Sequence, residues 1–202
     1  MKEQKEILKT LNINRHWTLF LDRDGVINKK IENDYVRSWE QFKFNDGVID
    51  GLSILRKIFG NIIIVTNQRG VGKGLMTEKE LINIHEKMKS ILKENGIVID
   101  GIYYCIHDYE KEHCNCRKPK IGLALKALTD MPFIDFNRSI VCGDSLSDIQ
   151  FGKKLGAINV YINERQEKNI VEKSLADLCF NSLLDFALAI KDAYFYEISL
   201  KE

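Results

Sequence analysis

The stretch Thr18 to Asn28 reads TLFLDRDGVIN. An apolar run from Trp17 to Leu21 delivers two aspartates, Asp22 and Asp24, and Gly25 lets the chain turn behind them. A run of apolar and β-branched residues bounded by a polar turn is the pattern of a strand buried in a parallel sheet. In open α/β sheets the ligand crevice opens beyond the C-terminal ends of the strands. Two carboxylates held one residue apart there repel each other, and a divalent cation between them is the simplest remedy. The plain alternative is an Asp-Gly turn that ends a strand, and the tetrapeptide alone does not separate the two.

Apolar runs at Thr18–Leu21, Ile62–Val65, Ile102–Cys105, Ile140–Cys142, Asn159–Ile162 and Leu178–Phe180 alternate with helical patterns. Val48, Leu52, Leu55, Ile58 and Phe59 form one apolar stripe; Leu81, Ile84, His85, Met88, Ile91 and Leu92 form another. Thr77 and Glu80 predict a capping box at the start of the second stripe, and Gly96 predicts its stop. Helices are also expected over Lys120–Thr129, over Leu146–Leu155 and from about Asn181 into the tail. His85, on an apolar stripe, reads as a packed histidine and not a ligand. Alternating strands and helices predict a three-layer α/β/α, Rossmann-like domain with a mainly parallel sheet.

The 202 residues fit one domain, and 45% hydrophobic with 29% charged residues is an ordinary globular balance. A net charge of +1 gives no global attraction to nucleic acid or an anionic membrane. No apolar run approaches the roughly 18 residues of a membrane span. The charged segment 1–16 does not read as a secretory signal; it is expected as an extension with a short solvated helix, ahead of a domain over 17–202. A cytoplasmic, reducing location follows as the expectation. Five cysteines are present. Cys142 and Cys179, inside apolar runs, are expected in the core.

The polar residues at the strand ends carry the chemistry. Asp22 and Asp24 suit a nucleophile and a general acid/base for transfer of a phosphoryl group. Asp144, in CGDSLSD, would complete a Mg²⁺ site, with Asp148 a helical turn further on as an outer residue. Thr66, Asn67 and Gln68, in VTNQRGVGKG, offer donors to phosphate, and Gly70, Gly72 and Gly74 are expected to keep that loop flexible. The loop is not a Walker A motif, because Gly74 follows Lys73 where Ser or Thr is required. Arg117 and Lys118 supply the fixed positive charge. Cys105-x-His107 and Cys114-x-Cys116 form two close pairs suited to tetrahedral Zn²⁺, with all four positions filled by protein and hence a structural site. His113 is the alternative fourth ligand. A zinc loop over 105–116 would pin Arg117 and Lys118 at the site.

Taken together, FLDRDGVIN, VTNQRGVGKG, CNCRKPK and CGDSLSD resemble the four motifs of haloacid dehalogenase (HAD) superfamily phosphatases. The resemblance is to the zinc-containing branch of heptose bisphosphate and histidinol-phosphate phosphatases, and it runs from about Thr18 to Phe180. It implies Asp22 as nucleophile, Asp24 as acid/base, and Thr66 and Lys118 as holders of the transferring phosphoryl group. Mg²⁺ is implied at Asp22, the Asp24 carbonyl and Asp144, and Zn²⁺ at Cys105, His107, Cys114 and Cys116. The expected substrate contacts are Arg23, Asn67, Gln68, Arg69, Arg117 and Tyr35, with Arg69 a candidate for a second phosphate. No separate cap domain is expected. The implied substrate is a small phosphorylated metabolite, D-glycero-D-manno-heptose 1,7-bisphosphate first, losing its 7-phosphate, with histidinol phosphate or another sugar phosphate as alternatives. Ser145, where the heptose enzymes usually carry lysine, and the six residues between His107 and Cys114 favour histidinol phosphate. No nucleic-acid partner is expected, and the family resemblance implies a monomer. A zinc-knuckle binding module without chemistry is the alternative of another class; it leaves the strand-end aspartates without a purpose.

Overall fold

The computed structural model describes residues 2–163 and 174–199. The stretch 164–173 and the last three residues of the expected 17–202 domain lie outside the described residues. The chain runs α1 (Lys2–Thr10), β1 (Thr18–Leu21), α2 (Val48–Ile58), β2 (Asn61–Asn67), α3 (Arg69–Gly72), α4 (Glu78–Glu94) and β3 (Gly101–Cys105). It continues through α5 (Gly122–Asp130), β4 (Ser139–Gly143), α6 (Leu146–Leu155), β5 (Ile158–Ile162), β6 (Leu178–Phe180) and a long last helix, α7 (Leu183–Ser199). Among the described residues the sheet has six strands in the order β3-β2-β1-β4-β5-β6. Every neighbouring pair is parallel.

Side-chain alternation divides the interior into two cores. Leu19 and Leu21 point to the face covered by α2, α4 and α7, together with Ile62, Ile64, Ile140 and Cys142. Phe20 points the other way, with Ile63, Val65 and Val141, against Leu123 and Ala127 of α5 and Phe151 of α6. All four β1 residues are buried. That is why the run lacks the polar alternation of a half-exposed strand.

The capping box of Thr77 and Glu80 is present, and Gly96 leaves α4 with a positive φ of 74°. Gly156 ends α6 in the same left-handed way. No described connection holds a separate cap: residues 22–47 are a loop with a short 3₁₀ turn at Trp39–Gln41, and β2 leads to β3 through α3 and α4. No helix among the described residues is long and apolar enough to cross a membrane.

Three expectations need correction. The N-terminal helix is not merely solvated, because Leu8 is buried in the larger core and α1 packs on α7. Cys142 is buried as expected, but Cys179 is only partly so. The glycine-rich segment expected as a flexible loop after Gln68 begins with a helical turn, Arg69–Gly72, and Gly74 follows it with a φ of 71°. A Cβ on Gly72 would lie 2.5 Å from the Ile106 carbonyl oxygen, so this glycine permits close backbone approach.

Candidate active site

The chain steps outward from β1 to β2 and β3, then returns to the other side of β1 for β4, β5 and β6. The order therefore reverses at β1, and this reversal is where a crevice forms in an open parallel sheet. Leu21 is in register with Ile64 on one side and Cys142 on the other. The residues just beyond, Asp22, Thr66 and Asp144, consequently converge. A cleft of about 200 Å³ is lined by Asp22, Asp24, Thr66, Asn67, Arg117, Lys118 and Asp144. Tyr35 and Lys30, from the loop after β1, form part of its wall, with Ser145 and Ser147 at the start of α6. Gly25 makes the turn possible: its φ is +89°, and a Cβ there would lie 2.2 Å from Asp144 Oδ2.

Lys118 is the electrostatic centre. Its ammonium lies 2.9 Å from Asp22 Oδ1 and 2.5 Å from Asp148 Oδ1, with its side chain 1% exposed. It also donates to the Val65 carbonyl at 2.7 Å. Asn67 fastens its backbone from both sides, accepting from the Lys118 N–H at 3.0 Å and donating to the Lys118 carbonyl at 3.2 Å. The Lys118–Pro119 peptide is cis. Asp148 also accepts from the Ser145 N–H at 3.2 Å, so α6 is anchored to the same cluster.

The two aspartates that follow β1 have opposite environments. Asp24 is held below the usual carboxylate range: burial opposes this but is outweighed by the Arg23 guanidinium and by hydrogen bonds from Asn28, Arg23 and Gln68. Arg23 donates to both Asp24 oxygens at 2.9 and 2.8 Å, Asn28 at 2.9 Å and Gln68 at 2.8 Å. Asp22 is pushed up to about 7, first by burial, with Lys118 opposing and with Asp148, Asp144 and Asp24 adding repulsion. Burial likewise raises Asp144, which Lys30 partly offsets by a 2.7 Å ion pair.

These acids form a site short of positive charge. Ligand oxygens of Asp22, Asp144 and Asp148 lie within 4.8 Å of one another. Asp144 Oδ1 is buried with no hydrogen-bond partner among the described residues. An all-oxygen donor set with an orphaned carboxylate oxygen fits a hard divalent cation. The second cluster has soft donors. Cys105, His107, Cys114 and Cys116 offer ligand atoms within 4.8 Å of one another. Cys105 Sγ lies 3.7 Å from Cys114 Sγ and 3.4 Å from His107 Nδ1. Zinc–sulfur bonds of about 2.3 Å at tetrahedral angles put sulfurs roughly 3.7 Å apart; the Cys105–Cys116 pair is tighter, at 2.9 Å, and it is the chemistry of the donors, three thiols and an imidazole, that fits zinc. His107, and not the neighbouring His113, belongs to this cluster.

Three expected substrate contacts point elsewhere. Arg23 is fully buried, between Asp24 and His85. Gln68 is 1% exposed, and its amide bonds Asp24 and Thr66. Arg69 is drawn away by Asp108 at 2.6 Å and by Glu110, and its guanidinium stacks on Tyr109. Asp108 and Glu110, between His107 and Cys114, thus neutralise its charge, and Arg69 does not line the cleft. Arg117 remains in the cleft, stacks on the same Tyr109 ring at 4.7 Å, and keeps a buried nitrogen unpartnered. Lys30 was not singled out from the sequence. Its partner Asp144 is 114 positions away, and no local pattern reveals such a pairing.

The family model described as polynucleotide kinase 3 phosphatase matches residues 18–195. The chain is 41% identical over 177 residues to the D-glycero-alpha-D-manno-heptose-1,7-bisphosphate 7-phosphatase of Mycobacterium tuberculosis, covering 88% of this chain and 93% of that one. It is 38% identical over 181 residues to the D-glycero-beta-D-manno-heptose-1,7-bisphosphate 7-phosphatase of Haemophilus influenzae, covering 86% and 96%. In fold it is similar to the D,D-heptose 1.7-bisphosphate phosphatase from B. bronchiseptica complexed with magnesium and phosphate, at a TM-score of 0.75 and 24% identity over 90% of this chain and 99% of that one. The matched span takes in every described strand and both clusters of candidate ligands. The chain accordingly belongs to the polynucleotide kinase 3 phosphatase family, within the HAD superfamily, and is a phosphatase of that class.

Proposed function

We propose that this phosphatase removes the 7-phosphate of D-glycero-D-manno-heptose 1,7-bisphosphate through an aspartyl-phosphate on Asp22. The observation that carries the chemistry is the convergence of Asp22, Asp24, Lys118 and Asp144 on one cleft at the reversal point of the sheet. The naming of relatives that align over nearly their whole length supports the substrate.

Asp22 and Asp144 would hold Mg²⁺, with the Asp24 backbone carbonyl, and Asp148 would steady Lys118. When bound, the cation neutralises the nucleophile and the incoming phosphate. Lys118 and the Thr66 hydroxyl hold the phosphoryl oxygens, and Asp22 attacks phosphorus as the bond to the sugar oxygen breaks. Asp24 gives that oxygen its proton. In the free protein Asp24 is a carboxylate, and the approach of a phosphate dianion raises its proton affinity by like-charge repulsion. As a carboxylate again, it takes a proton from the water that releases phosphate from Asp22. Arg117, the remaining cation with an unpartnered nitrogen, contacts the rest of the substrate, and Tyr35 flanks it. Cys105, His107, Cys114 and Cys116 would hold a structural Zn²⁺, which would fix the segment that delivers Arg117 and Lys118. The thiolate ligands suit a reducing, cytoplasmic location, and the protein acts as a monomer on a small sugar phosphate.

The test is phosphate release with Mg²⁺ from both anomers of the heptose bisphosphate, histidinol phosphate, common sugar phosphates and a 3′-phosphorylated oligonucleotide. The proposal expects a heptose bisphosphate anomer to exceed the others in kcat/KM by orders of magnitude. A preference for histidinol phosphate, which the short zinc loop and Ser145 favour, would move the substrate and leave the mechanism. A preference for the oligonucleotide would overturn the small-molecule reading.

A further inference from the structure

We propose that His85 is a positioning residue for catalysis: through the buried Arg23 guanidinium it fixes the orientation of the Asp24 carboxyl group. This rests on the reading of Asp24 as the general acid/base and extends it to a residue outside the cleft.

The geometry is a chain of three side chains. Arg23 Nη2 donates to both oxygens of Asp24 at 2.9 and 2.8 Å. Arg23 Nη1 lies 3.1 Å from His85 Nε2. Arg23 is 0% exposed and His85 3%. A guanidinium has only donors and does not lose its proton in proteins. Contact at 3.1 Å therefore requires a lone pair on Nε2, so the ring is neutral with its proton on Nδ1. Burial and the charges of Arg23 and Lys89, against the opposing pull of Asp24, keep it neutral down to about 3. The ring is held in place from α4, tilted against Tyr104 of β3 at 5.4 Å.

His85 matters because, among the described residues, nothing else grips that side of the guanidinium. Arg23 Nε has no hydrogen-bond partner. The head group is thus anchored by Asp24 on one side and by His85 on the other. A buried donor left without its acceptor is costly, so on loss of His85 the guanidinium has reason to turn or admit water. Asp24 then loses its two-pronged partner and keeps only the amides of Asn28 and Gln68. Its aim at the leaving oxygen depends on that partner. Glutamine can supply an acceptor near the Nε2 position; leucine fills the space and accepts nothing.

The experiment compares kcat/KM on an alkyl phosphate, such as the preferred sugar phosphate, and on 4-nitrophenyl phosphate. The nitrophenolate departs without a proton, and kcat/KM reports only the steps up to its departure. General acid catalysis contributes roughly 10²–10⁴-fold. His85→Leu is expected to lose about tenfold or more on the alkyl ester and less than about threefold on the aryl ester, with His85→Gln restoring most of the difference. Should His85→Leu not fold, His85→Asn, whose amide stops short of Arg23, takes its place with the same expectation. Equal losses on both esters, or no loss on either, would overturn the positioning role. Asp24→Asn is the control. A loss on the alkyl ester far greater than on the aryl ester in that variant, without one in the His85 variants, refutes only the proposal for His85. An Asp24→Asn enzyme without that selectivity refutes the acid/base reading beneath it.

Discussion

Replacing Lys118 by methionine removes one cation from a site with three carboxylates around it. The ammonium is 2.9 Å from Asp22 and 2.5 Å from Asp148, in a position 1% exposed. Methionine fills much of the volume but leaves both acids without their counter-ion. Removing one partner of a buried ion pair costs about 3–5 kcal/mol. A chain of this size loses roughly 2–4 °C of melting temperature per kcal/mol, so the metal-free variant should melt roughly 6–20 °C lower near pH 8. The sign of the pH dependence follows from burial. Asp22 already rises to about 7 with Lys118 present. Without Lys118 the folded state binds protons still more tightly than the unfolded chain, so its stability falls as pH rises. The deficit should therefore be smaller at pH 5.5 than at pH 8. Mg²⁺ should recover part of it, since a cation held by Asp22 and Asp144 supplies the missing charge. Thermal unfolding followed by circular dichroism, in EDTA and in Mg²⁺ at both pH values, measures all three effects. A fall of under about 2 °C at pH 8, or a deficit indifferent to pH, would refute the claim that Lys118 holds the carboxylates by charge.

Two further predictions concern the supports of the site. Removing zinc by chelation, or replacing Cys114 with serine, should lower the melting temperature and raise KM more than it lowers the affinity for Mg²⁺; unchanged melting and activity after verified zinc loss would contradict a structural zinc. His85 is neutral in the fold down to about 3 and titrates near 6.5 when unfolded, so its contribution to stability is present above pH 6.5 and is lost as pH falls. Relative to His85→Gln, the wild type should lose up to about 2–3 kcal/mol between pH 6.5 and 4.5 in denaturant titrations, and a difference independent of pH would contradict it.

Much of this architecture is local in origin, and was readable for that reason. Strands such as Thr18–Leu21 and Leu178–Phe180 have the expected bounds, because an apolar run ends where an aspartate or asparagine follows. The capping box at Thr77 depends on a spacing of three residues. The strand-end polar residues were legible because a packed strand gives no reason for them. Side-chain direction was not legible. Arg23 and Gln68 stand in the motif stretches but turn inward, since Asp24 is the nearest strong acceptor for both. Arg69 is neutralised by Asp108, 39 positions later, on the loop between His107 and Cys114. The burial of α1 depends on α7 at the far end of the chain, and the pairing of Lys30 with Asp144 depends on the sheet order. Each of these contacts is set by topology, which a window of sequence does not contain.

The most direct test of the central claim is phosphate release with Mg²⁺ by the wild type and by Asp22→Asn, which keeps the shape of the side chain and loses its nucleophilic charge. The variant should fold, retain zinc and release no phosphate above background from a substrate that the wild type hydrolyses. Turnover by Asp22→Asn at a rate close to that of the wild type would contradict it.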